Sequence, residues 1–247
     1  MRQTVGFTTI DIDYERPSVR KRTIFGGLVP YDKIWRTGAG RNTVICFSTS
    51  VIIDEKEVPK GTYNLLSVPG KKEWEIILNN DTSLWGTYNH NPDWDVLRFT
   101  IPLENESIYF ETMNIAIDVI PYDAVIHIMW ENVHVKFDVK TGTNQSVYQF
   151  ITDSLATSLS NDANAYFSAA NHLFMQNSKL DLALNLINKS LALKETGFAY
   201  GQMAEILFQL DRKKEAIEMA KKGRLWEQQH GMDGLYFDAL MDKFNSK

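Results

Sequence analysis

The chain has 247 residues, of which 26 are Lys or Arg and 31 are Asp or Glu, so its formal net charge is −5. Its 44% hydrophobic and 23% charged residues are ordinary values for a globular protein and exclude a disordered or collagen-like chain. No apolar run reaches the roughly 18 residues of a membrane-spanning helix, and the single cysteine excludes an intrachain disulfide and a zinc cluster built on several thiolates.

The composition changes near residue 142. All seven prolines and five of the six tryptophans lie before this point. Proline interrupts helices, whereas aromatic residues suit strands. The segment Thr141-Gly142-Thr143-Asn144 is rich in turn residues, and Thr143 or Asn144 can cap a following helix. We therefore predict two domains, residues 1–142 and 143–247.

Neither predicted domain is basic. Residues 1–142 contain 15 Lys and Arg against 19 Asp and Glu, and residues 143–247 contain 11 against 12. Because nucleic-acid binding domains carry an excess of positive charge, we expect no nucleic-acid partner.

Residues 1–142 are predicted to form an antiparallel β-sandwich. In the first strand, apolar Ile10, Ile12 and Tyr14 alternate with acidic residues. Eight further β-rich runs follow, separated by turn residues: 43–47, 51–54, 61–68, 74–79, 96–101, 108–120, 124–130 and 133–139. About nine short strands with turns between them are typical of an antiparallel sandwich or barrel.

The last two runs predict a β-hairpin with Glu131-Asn132 as its two-residue turn. Six residues that would then face one another are all apolar, which predicts a core face: Trp130 with Val133, Ile128 with Val135, and Ile126 with Phe137. The opposite face would hold a mixed set: Val125, His127, Met129, His134 and Lys136.

Residues 143–247 are predicted to be helical. Apolar residues recur with a 3.6-residue period in six segments: 146–159, 163–175, 180–193, 199–210, 215–226 and 235–244. Five positions recur 33 residues later: Phe167 as Tyr200, Ala170 as Met203, Phe174 as Leu207, Ala183 as Ala216, and Ile187 as Ala220. This spacing resembles that of tetratricopeptide repeats, whose period is about 34 residues. We expect an all-α domain of helical hairpins containing two degenerate tetratricopeptide-like repeats.

An ordered series of motifs occurs within residues 3–139. The motifs are Asp13-Tyr14-Glu15-Arg16-Pro17-Ser18-Val19, Ile24-Phe25-Gly26, Leu28-Val29-Pro30-Tyr31, Trp35-Arg36-Thr37-Gly38-Ala39, Phe47-Ser48, Gly61-Thr62-Tyr63, Trp85-Gly86 with Tyr88, and Asp95-Val96-Leu97-Arg98. The series resembles the bacterial domain-of-unknown-function 2911 family, which is common in Bacteroidetes. The resemblance implies no catalytic residue, because the family has no established activity.

The same resemblance implies a cellular location. Members of the family often carry a leader peptide, so we expect a periplasmic or otherwise extracytoplasmic protein of the cell envelope. Residues 1–6 contain no apolar stretch, which predicts that a leader is absent from this chain. A cytoplasmic location therefore stays open.

The segment Arg16–Arg41 concentrates positive charge. It contains seven cations and the single acid Asp32; the cations are Arg16, Arg20, Lys21, Arg22, Lys33, Arg36 and Arg41. Arginine forks suit carboxylate or phosphate, and Thr37, Gly38 and Gly40 let backbone N–H groups approach an anion. The segment predicts a pocket for a small acidic molecule, a sugar acid or a peptide terminus. In the alternative interpretation, Arg16 and Arg36 pair with Asp11, Asp13 or another carboxylate and fix a long loop.

Aromatic and polar residues cluster in the segment 85–94. Trp85, Tyr88 and Trp94 accompany Asn89, His90 and Asp93, and Trp35 and Tyr63 lie elsewhere in the sequence. Flat rings beside such polar groups suit carbohydrate, but the same rings also anchor turns and cores of ordinary β domains. Both interpretations stay open.

No motif predicts a metal centre or a catalytic site. His127 and His134 are predicted to share a sheet face and could begin a metal site with Asp138, but no third ligand follows at a recognisable spacing. Cys46 lies in an apolar strand and is predicted to be a buried structural thiol. Nucleophile-elbow, phosphate-loop and dinucleotide-binding motifs are absent from the sequence.

The sequence therefore favours a non-catalytic binding or scaffold module without a cofactor. Its ligand would be a small acidic or sugar molecule, with a peptide or protein partner for the helical domain and no transmembrane segment. The predicted ligand-binding residues are Arg16, Arg22, Trp35, Arg36, Thr37, Arg41, Tyr63, Trp85 and Tyr88. The alternative is a carbohydrate-acting hydrolase that uses surface acids such as Asp95, Glu111 or Glu131.

Overall fold

The computed structural model describes residues 1–157 and 160–246, and the side chains of residues 105–107 are not among those described. The chain divides into two compact units, Met1–Gln145 and Ser146–Lys247. The first unit has one apolar core, and the second has two adjoining apolar clusters.

The first unit is built from ten strands, which confirms the predicted antiparallel β architecture. The strands are β1 (Arg2–Val5), β2 (Thr8–Asp13), β3 (Val44–Phe47), β4 (Val51–Ile53), β5 (Lys56–Val58), β6 (Gly61–Pro69), β7 (Glu73–Asn79), β8 (Asp95–Pro102), β9 (Glu104–Ile120) and β10 (Asp123–Lys140). They form a six-stranded sheet with the order β1-β2-β3-β6-β7-β8 and a four-stranded sheet with the order β5-β4-β10-β9. Every pairing between these strands is antiparallel.

Alternating apolar side chains from both sheets meet in the single core. Ile10 and Ile12 of β2 and Leu65 of β6 come from the six-stranded sheet, whereas Val51 of β4 and Ile126 of β10 come from the four-stranded sheet. All five are fully buried or nearly so. Burial of one face from each sheet gives the main driving force for the sandwich.

The two strands missed from the sequence are the short edge strands β1 and β5. Each lies at the end of its sheet, and most of the side chains in both strands are exposed. Because one face and one edge of each segment are open to solvent, apolar and polar residues do not alternate clearly along it. This alternation is the pattern that predicted the other strands.

The predicted hairpin turn at Glu131-Asn132 is wrong, because β10 continues through it as one strand of 18 residues. β10 pairs with the 17-residue β9, and the register shifts between Met129 and Glu131 and again between Glu131 and Val133. Glu131 takes a positive φ of 52° at this irregularity. The side chains that face the core are even-numbered before this irregularity and odd-numbered after it. A bulge therefore shifts the alternation of apolar residues in the same way as the predicted turn.

The residues assigned to the core by that hairpin are nevertheless on the core side of β10. Five of them are buried and Val133 is partly buried; the five are Ile126, Ile128, Trp130, Val135 and Phe137. The true reversal of chain direction is the two-residue turn Pro121-Tyr122 between β9 and β10, where Ile120 pairs with Asp123.

The second unit is helical, as predicted. The helices are α1 (Thr143–Phe150), α2 (Ala163–Met175), α3 (Leu180–Leu193), α4 (Gly197–Gln209), α5 (Lys213–Gln229) and α6 (Leu235–Asn245). The first predicted helix, 146–159, ends early as α1 and continues into a π-helical turn, Ile151–Leu155. Its predicted last residue, Leu159, lies outside the described residues. No described helix is both long and apolar enough to span a membrane.

The helix pairs α2–α3 and α4–α5 follow the predicted repeat spacing. α2 and α4 begin at Ala163 and Gly197, and α3 and α5 begin at Leu180 and Lys213. Side chains cap the first helix of each pair: Asp162 accepts hydrogen bonds from the N–H groups of Asn164 and Ala165 at the start of α2, and Thr196 accepts one from Ala199 at the start of α4. These caps satisfy amides that would otherwise lack a helical partner.

Replacing the α2 cap tests how much it stabilises the helical unit. Asp162→Ala removes the acceptor for two helix N–H groups, so the free energy of unfolding of this unit should fall by about 1 kcal/mol. Urea denaturation followed by far-UV circular dichroism measures the change. Glu218→Ala, on an exposed position within α5, is the control and should leave the free energy almost unchanged. Equal effects of both substitutions would contradict the capping role.

Candidate functional site

The arginine-rich segment is an ordered excursion between β2 and β3. Near its start it pairs with the edge of the four-stranded sheet, where Val19 donates to the Glu111 carbonyl (2.8 Å) and Met113 donates to the Pro17 carbonyl (2.9 Å). Near its end Trp35 exchanges two backbone hydrogen bonds with Ser67 of β6 (2.7 and 2.9 Å). The excursion is therefore attached to both sheets, which fixes the positions of the side chains that it carries.

The excursion encloses a cavity of about 420 Å³, hereafter the guanidinium cavity. Thirteen residues line it: Arg16, Pro17, Ser18, Arg20, Arg22, Leu28, Val29, Trp35, Arg36, Gly38, Ala39, Gly40 and Trp130. Four of them are arginines, and none of these lining residues is acidic. The size is within the range of pockets that bind small organic ligands.

Two guanidinium groups in the cavity are held by neutral oxygen atoms. Arg16 donates from Nε to the Met113 carbonyl (3.0 Å) and from Nη2 to the Asn114 amide oxygen (3.3 Å). Arg22 donates from Nε to the Val19 carbonyl (3.0 Å) and from Nη2 to the Ser18 carbonyl (2.6 Å). These bonds orient one edge of each guanidinium and leave its Nη1 donors available.

The other two cavity arginines also lack a carboxylate partner. Arg36, which is half-buried, donates from Nη1 to the Gly40 carbonyl (2.6 Å). Arg20 is exposed, and only its backbone N–H meets an acid, Glu111 (2.9 Å). Among the side chains that the structure describes, which leave out those of residues 105–107, no ion pair involves any of the four cavity arginines.

This geometry alters the alternative interpretation of the segment. Among the described side chains, Arg16 and Arg36 do not pair with Asp11, Asp13 or another carboxylate, but both still fix the long loop through neutral oxygen atoms; Asp11 contacts Arg2 at 3.7 Å. Neutral carbonyl groups fix the guanidinium groups without cancelling their charge. Four guanidinium charges therefore line the cavity, with the Glu15 carboxylate beside Gly40 and the Glu111 carboxylate at the Arg20 N–H as neighbouring acids.

Trp35 forms the apolar side of the cavity. Its ring stacks on Trp130 at a centroid distance of 5.9 Å and meets the edges of Phe25 and Trp74 at 6.1 and 6.0 Å. Its indole Nε1 donates to the Gly38 carbonyl (3.0 Å), so the only polar atom of the side chain already has a partner. Aromatic packing therefore anchors Trp35, and its remaining surface offers only apolar contact.

Five of the nine residues predicted to bind ligand lie outside the cavity lining, and three of them are Thr37, Tyr63 and Arg41. Thr37 is buried and its hydroxyl shares a hydrogen bond with that of Ser67 (2.8 Å). Tyr63 is in the core, where its hydroxyl donates to the Pro59 carbonyl (2.7 Å). Arg41 borders a separate depression of about 50 Å³ lined also by Asp13, Tyr14, Glu15 and Asn42.

Trp85 and Tyr88 lie on a loop beside Arg36, outside the cavity lining. Their side chains are 67% and 92% exposed. Buried Asn42 holds this loop, because its amide donates to the Gly86 carbonyl (2.9 Å) and its amide oxygen accepts from the Gly86 N–H (2.7 Å). A methyl group built on Gly86 would lie 4.0 Å from Arg36 Nη1. No local pattern indicates this link, since Asn42 and Gly86 are 44 residues apart.

A buried polar network fixes the far end of the same loop and involves Asp95, one of the acids considered for hydrolysis. Asp95 accepts hydrogen bonds from Asn79 (2.7 Å) and Arg98 (2.7 Å), and His90 Nε2 lies 2.8 Å from its carboxylate. Burial alone would raise the pKa of Asp95, but these hydrogen bonds lower it below its ordinary value. The carboxylate is thus an ionised structural anchor with few free acceptor positions, which suits neither a general acid nor a nucleophile.

His127 and His134 form a contact pair on the face of β10 opposite the core. His127 Nδ1 lies 2.8 Å from His134 Nε2, and the rings stack at a centroid distance of 5.0 Å. His127 Nε2 is 3.3 Å from Asp118, and His134 Nδ1 is 3.7 Å from Glu104; these pairs do not include Asp138. In the part of the chain that the structure describes, no group of three or more potential ligands is arranged to hold a metal ion.

The environment of His127 changes its proton affinity. Burial lowers the pKa of its imidazole and is the largest influence; Asp118 and Glu104 oppose this effect, whereas His134 and Lys136 add to it. The folded protein therefore favours neutral His127.

This preference predicts a pH-dependent stability. In the unfolded chain a histidine titrates near pH 6.5. The contribution of neutral His127 is complete above that pH and is lost as the pH falls from about 6.5 toward the lower folded pKa. The urea midpoint of wild type should thus fall more than that of His127→Gln when the pH is lowered from about 7.5 to 5.5. The control His230→Gln, in α5's C-terminal cap, should behave like wild type; an unchanged pH dependence in His127→Gln would contradict the assignment.

The match to a known family covers the part of the chain that carries the sequence motifs. A family model described as "Protein of unknown function (DUF2911)" matches residues 1–139, which is more than half of the chain. The chain therefore belongs to this family, and the resemblance seen in its sequence motifs is confirmed. No curated protein and no solved structure matches the chain.

Proposed function

We propose that this member of the DUF2911 family binds a small acidic ligand in the guanidinium cavity and does not transform it. One observation carries the proposal: four arginines line a cavity of ligand size, and neutral oxygen atoms rather than carboxylates hold the guanidinium groups of three of them, Arg16, Arg22 and Arg36. Charge-assisted, bidentate hydrogen bonds from such groups are among the strongest contacts available to carboxylate or phosphate.

The fixed orientation of the arginines supports binding. An exposed arginine normally loses rotamer freedom when it captures an anion, which reduces affinity. Here the backbone carbonyls of Met113, Val19 and Gly40 already restrict Arg16, Arg22 and Arg36. A ligand therefore meets donors whose ordering is largely complete before it arrives.

The chemistry of the lining supports binding over hydrolysis. The lining residues include no carboxylate, imidazole or thiol that could serve as a general base or nucleophile. Arginine keeps its proton at any physiological pH, so it stabilises negative charge but does not accept a proton. An envelope location and a peptide partner for the helical unit stay predictions from the sequence.

Anion binding can be tested by its effect on thermal stability. A ligand that binds only the folded state raises the unfolding midpoint, and the stabilisation grows with the logarithm of the ratio of ligand concentration to Kd. We expect at least one of citrate, inorganic phosphate and glucuronate to raise the midpoint of wild type at constant ionic strength, and Arg36→Ala to abolish that shift.

The matched control is Arg41→Ala, which removes a cation from the same segment but not from the cavity lining. This variant should keep the full shift. A separate unliganded melt of each variant checks that it folds, and Arg16→Ala provides a second cavity variant. Absence of a shift with every anion, or an equal shift in Arg36→Ala and wild type, would refute the proposal.

A further inference from the structure

The guanidinium cavity also restricts the class of ligand that it can hold. Its volume of about 420 Å³ is far more than one inorganic anion fills, so an organic body must accompany the charge. The lining is divided in composition between the arginines and a set of apolar residues. The chemistry of these two parts defines the two ends of the ligand.

The four arginines of the lining favour a ligand that carries more than one negative charge. Arg16, Arg20, Arg22 and Arg36 all lack ion pairs among the described residues. The nearest carboxylates that the hydrogen bonds reveal, Glu15 and Glu111, accept from the backbone N–H groups of Arg41 and Arg20. A monoanion would leave most of the guanidinium charge around the cavity without a counterion, whereas a dianion can engage two forks at once.

The free donors point to two forks with different orientations. Arg16 and Arg22 use Nε and Nη2 for their carbonyl and amide partners and keep Nη1 free. Arg36 uses Nη1 and keeps Nε and Nη2 free. A phosphate, or a pair of carboxylates, has enough oxygen atoms to accept from both kinds of edge.

The apolar part of the lining calls for a body without hydroxyl groups on that side. Leu28 lines the cavity although 49% of its surface is exposed, and Val29 and Trp35 lie in the same lining. The indole N–H of Trp35 is already bonded to Gly38, and the indole Nε1 of Trp130, in the same lining, is buried without a hydrogen-bond partner among the described residues. Sugar hydroxyl groups placed against Leu28, Val29 and the ring of Trp35 would lose hydrogen bonds to water without replacement.

We infer that the ligand is a small amphipathic dianion, with two negative charges at one end and an apolar ring or chain at the other. This inference rests on the proposed function and narrows it. Phosphate monoesters and dicarboxylates share this chemistry, and the arms of the experiment below separate them.

The test compares phenyl phosphate with phenyl sulfate by isothermal titration calorimetry at pH 8. The two compounds have nearly the same shape, but phenyl phosphate carries two charges at this pH and phenyl sulfate carries one. We expect phenyl phosphate to bind at least about tenfold more tightly than phenyl sulfate, equivalent to about 1.4 kcal/mol, and more tightly than inorganic phosphate by a similar factor. Titration with phthalate in place of phenyl phosphate tests a dicarboxylate as the ligand. Whichever of the two compounds binds with the lower Kd shows whether the cavity prefers a phosphate monoester or a pair of carboxylates.

A substitution separates the apolar contact from the charge. Leu28→Asn should weaken phenyl phosphate severalfold and leave inorganic phosphate unchanged, while Phe7→Asn, an exposed apolar residue in the β1–β2 turn, should change neither. Equal affinities for phenyl phosphate and phenyl sulfate, or for phenyl phosphate and inorganic phosphate, would overturn the inference. If the affinities were equal but Arg36→Ala still abolished anion binding, the proposed function would stand and only this inference would fail. If no anion bound to wild type, the proposed function and this inference would both fail.

Discussion

Hydrogen bonds from guanidinium groups to neutral oxygen atoms are the interaction on which the candidate site depends. A carboxylate partner would orient an arginine equally well, but it would also neutralise the charge and compete with any anionic ligand. A carbonyl group orients the arginine while the charge stays available. Arg16, Arg22 and Arg36 are all held in this second way. The same atoms that order the excursion therefore also prepare it for an anion.

The β-sandwich supplies one of these carbonyl groups, that of Met113, and anchors the excursion that carries the others. Met113 belongs to β9, an edge strand of the four-stranded sheet, and Ser67 of β6 holds the excursion at its other end. An edge strand exposes unpaired backbone groups that can cause aggregation if they are left open. Here part of that edge is covered by residues 17–19, so the excursion protects the sheet while it forms the cavity.

Local pattern was sufficient to predict the strands, the helices and the charge of the site. Alternation of apolar residues located most strands, and the excess of cations in 16–41 located the cavity-forming segment. Of the predicted ligand residues, Arg16, Arg22, Trp35 and Arg36 line the cavity. Thr37, Arg41 and Tyr63 do not, because the direction of each side chain depends on the path of the chain between distant anchors, which no local pattern records. The error at Glu131 has a related cause: a bulge and a turn both reverse the phase of an alternating strand, and only the partner β9 distinguishes them.

One anchor of the cavity joins distant parts of the chain, because Arg16 and Met113 are 97 positions apart. Contacts of this range require closure of a long loop and form slowly compared with local hairpins such as β9–β10. An incompletely folded chain that has already paired its neighbouring strands would possess the arginines but no enclosed space between them. The proposed ligand binding would thus be coupled to the final assembly of both sheets, and an occupied cavity would mark the molecules whose folding is complete.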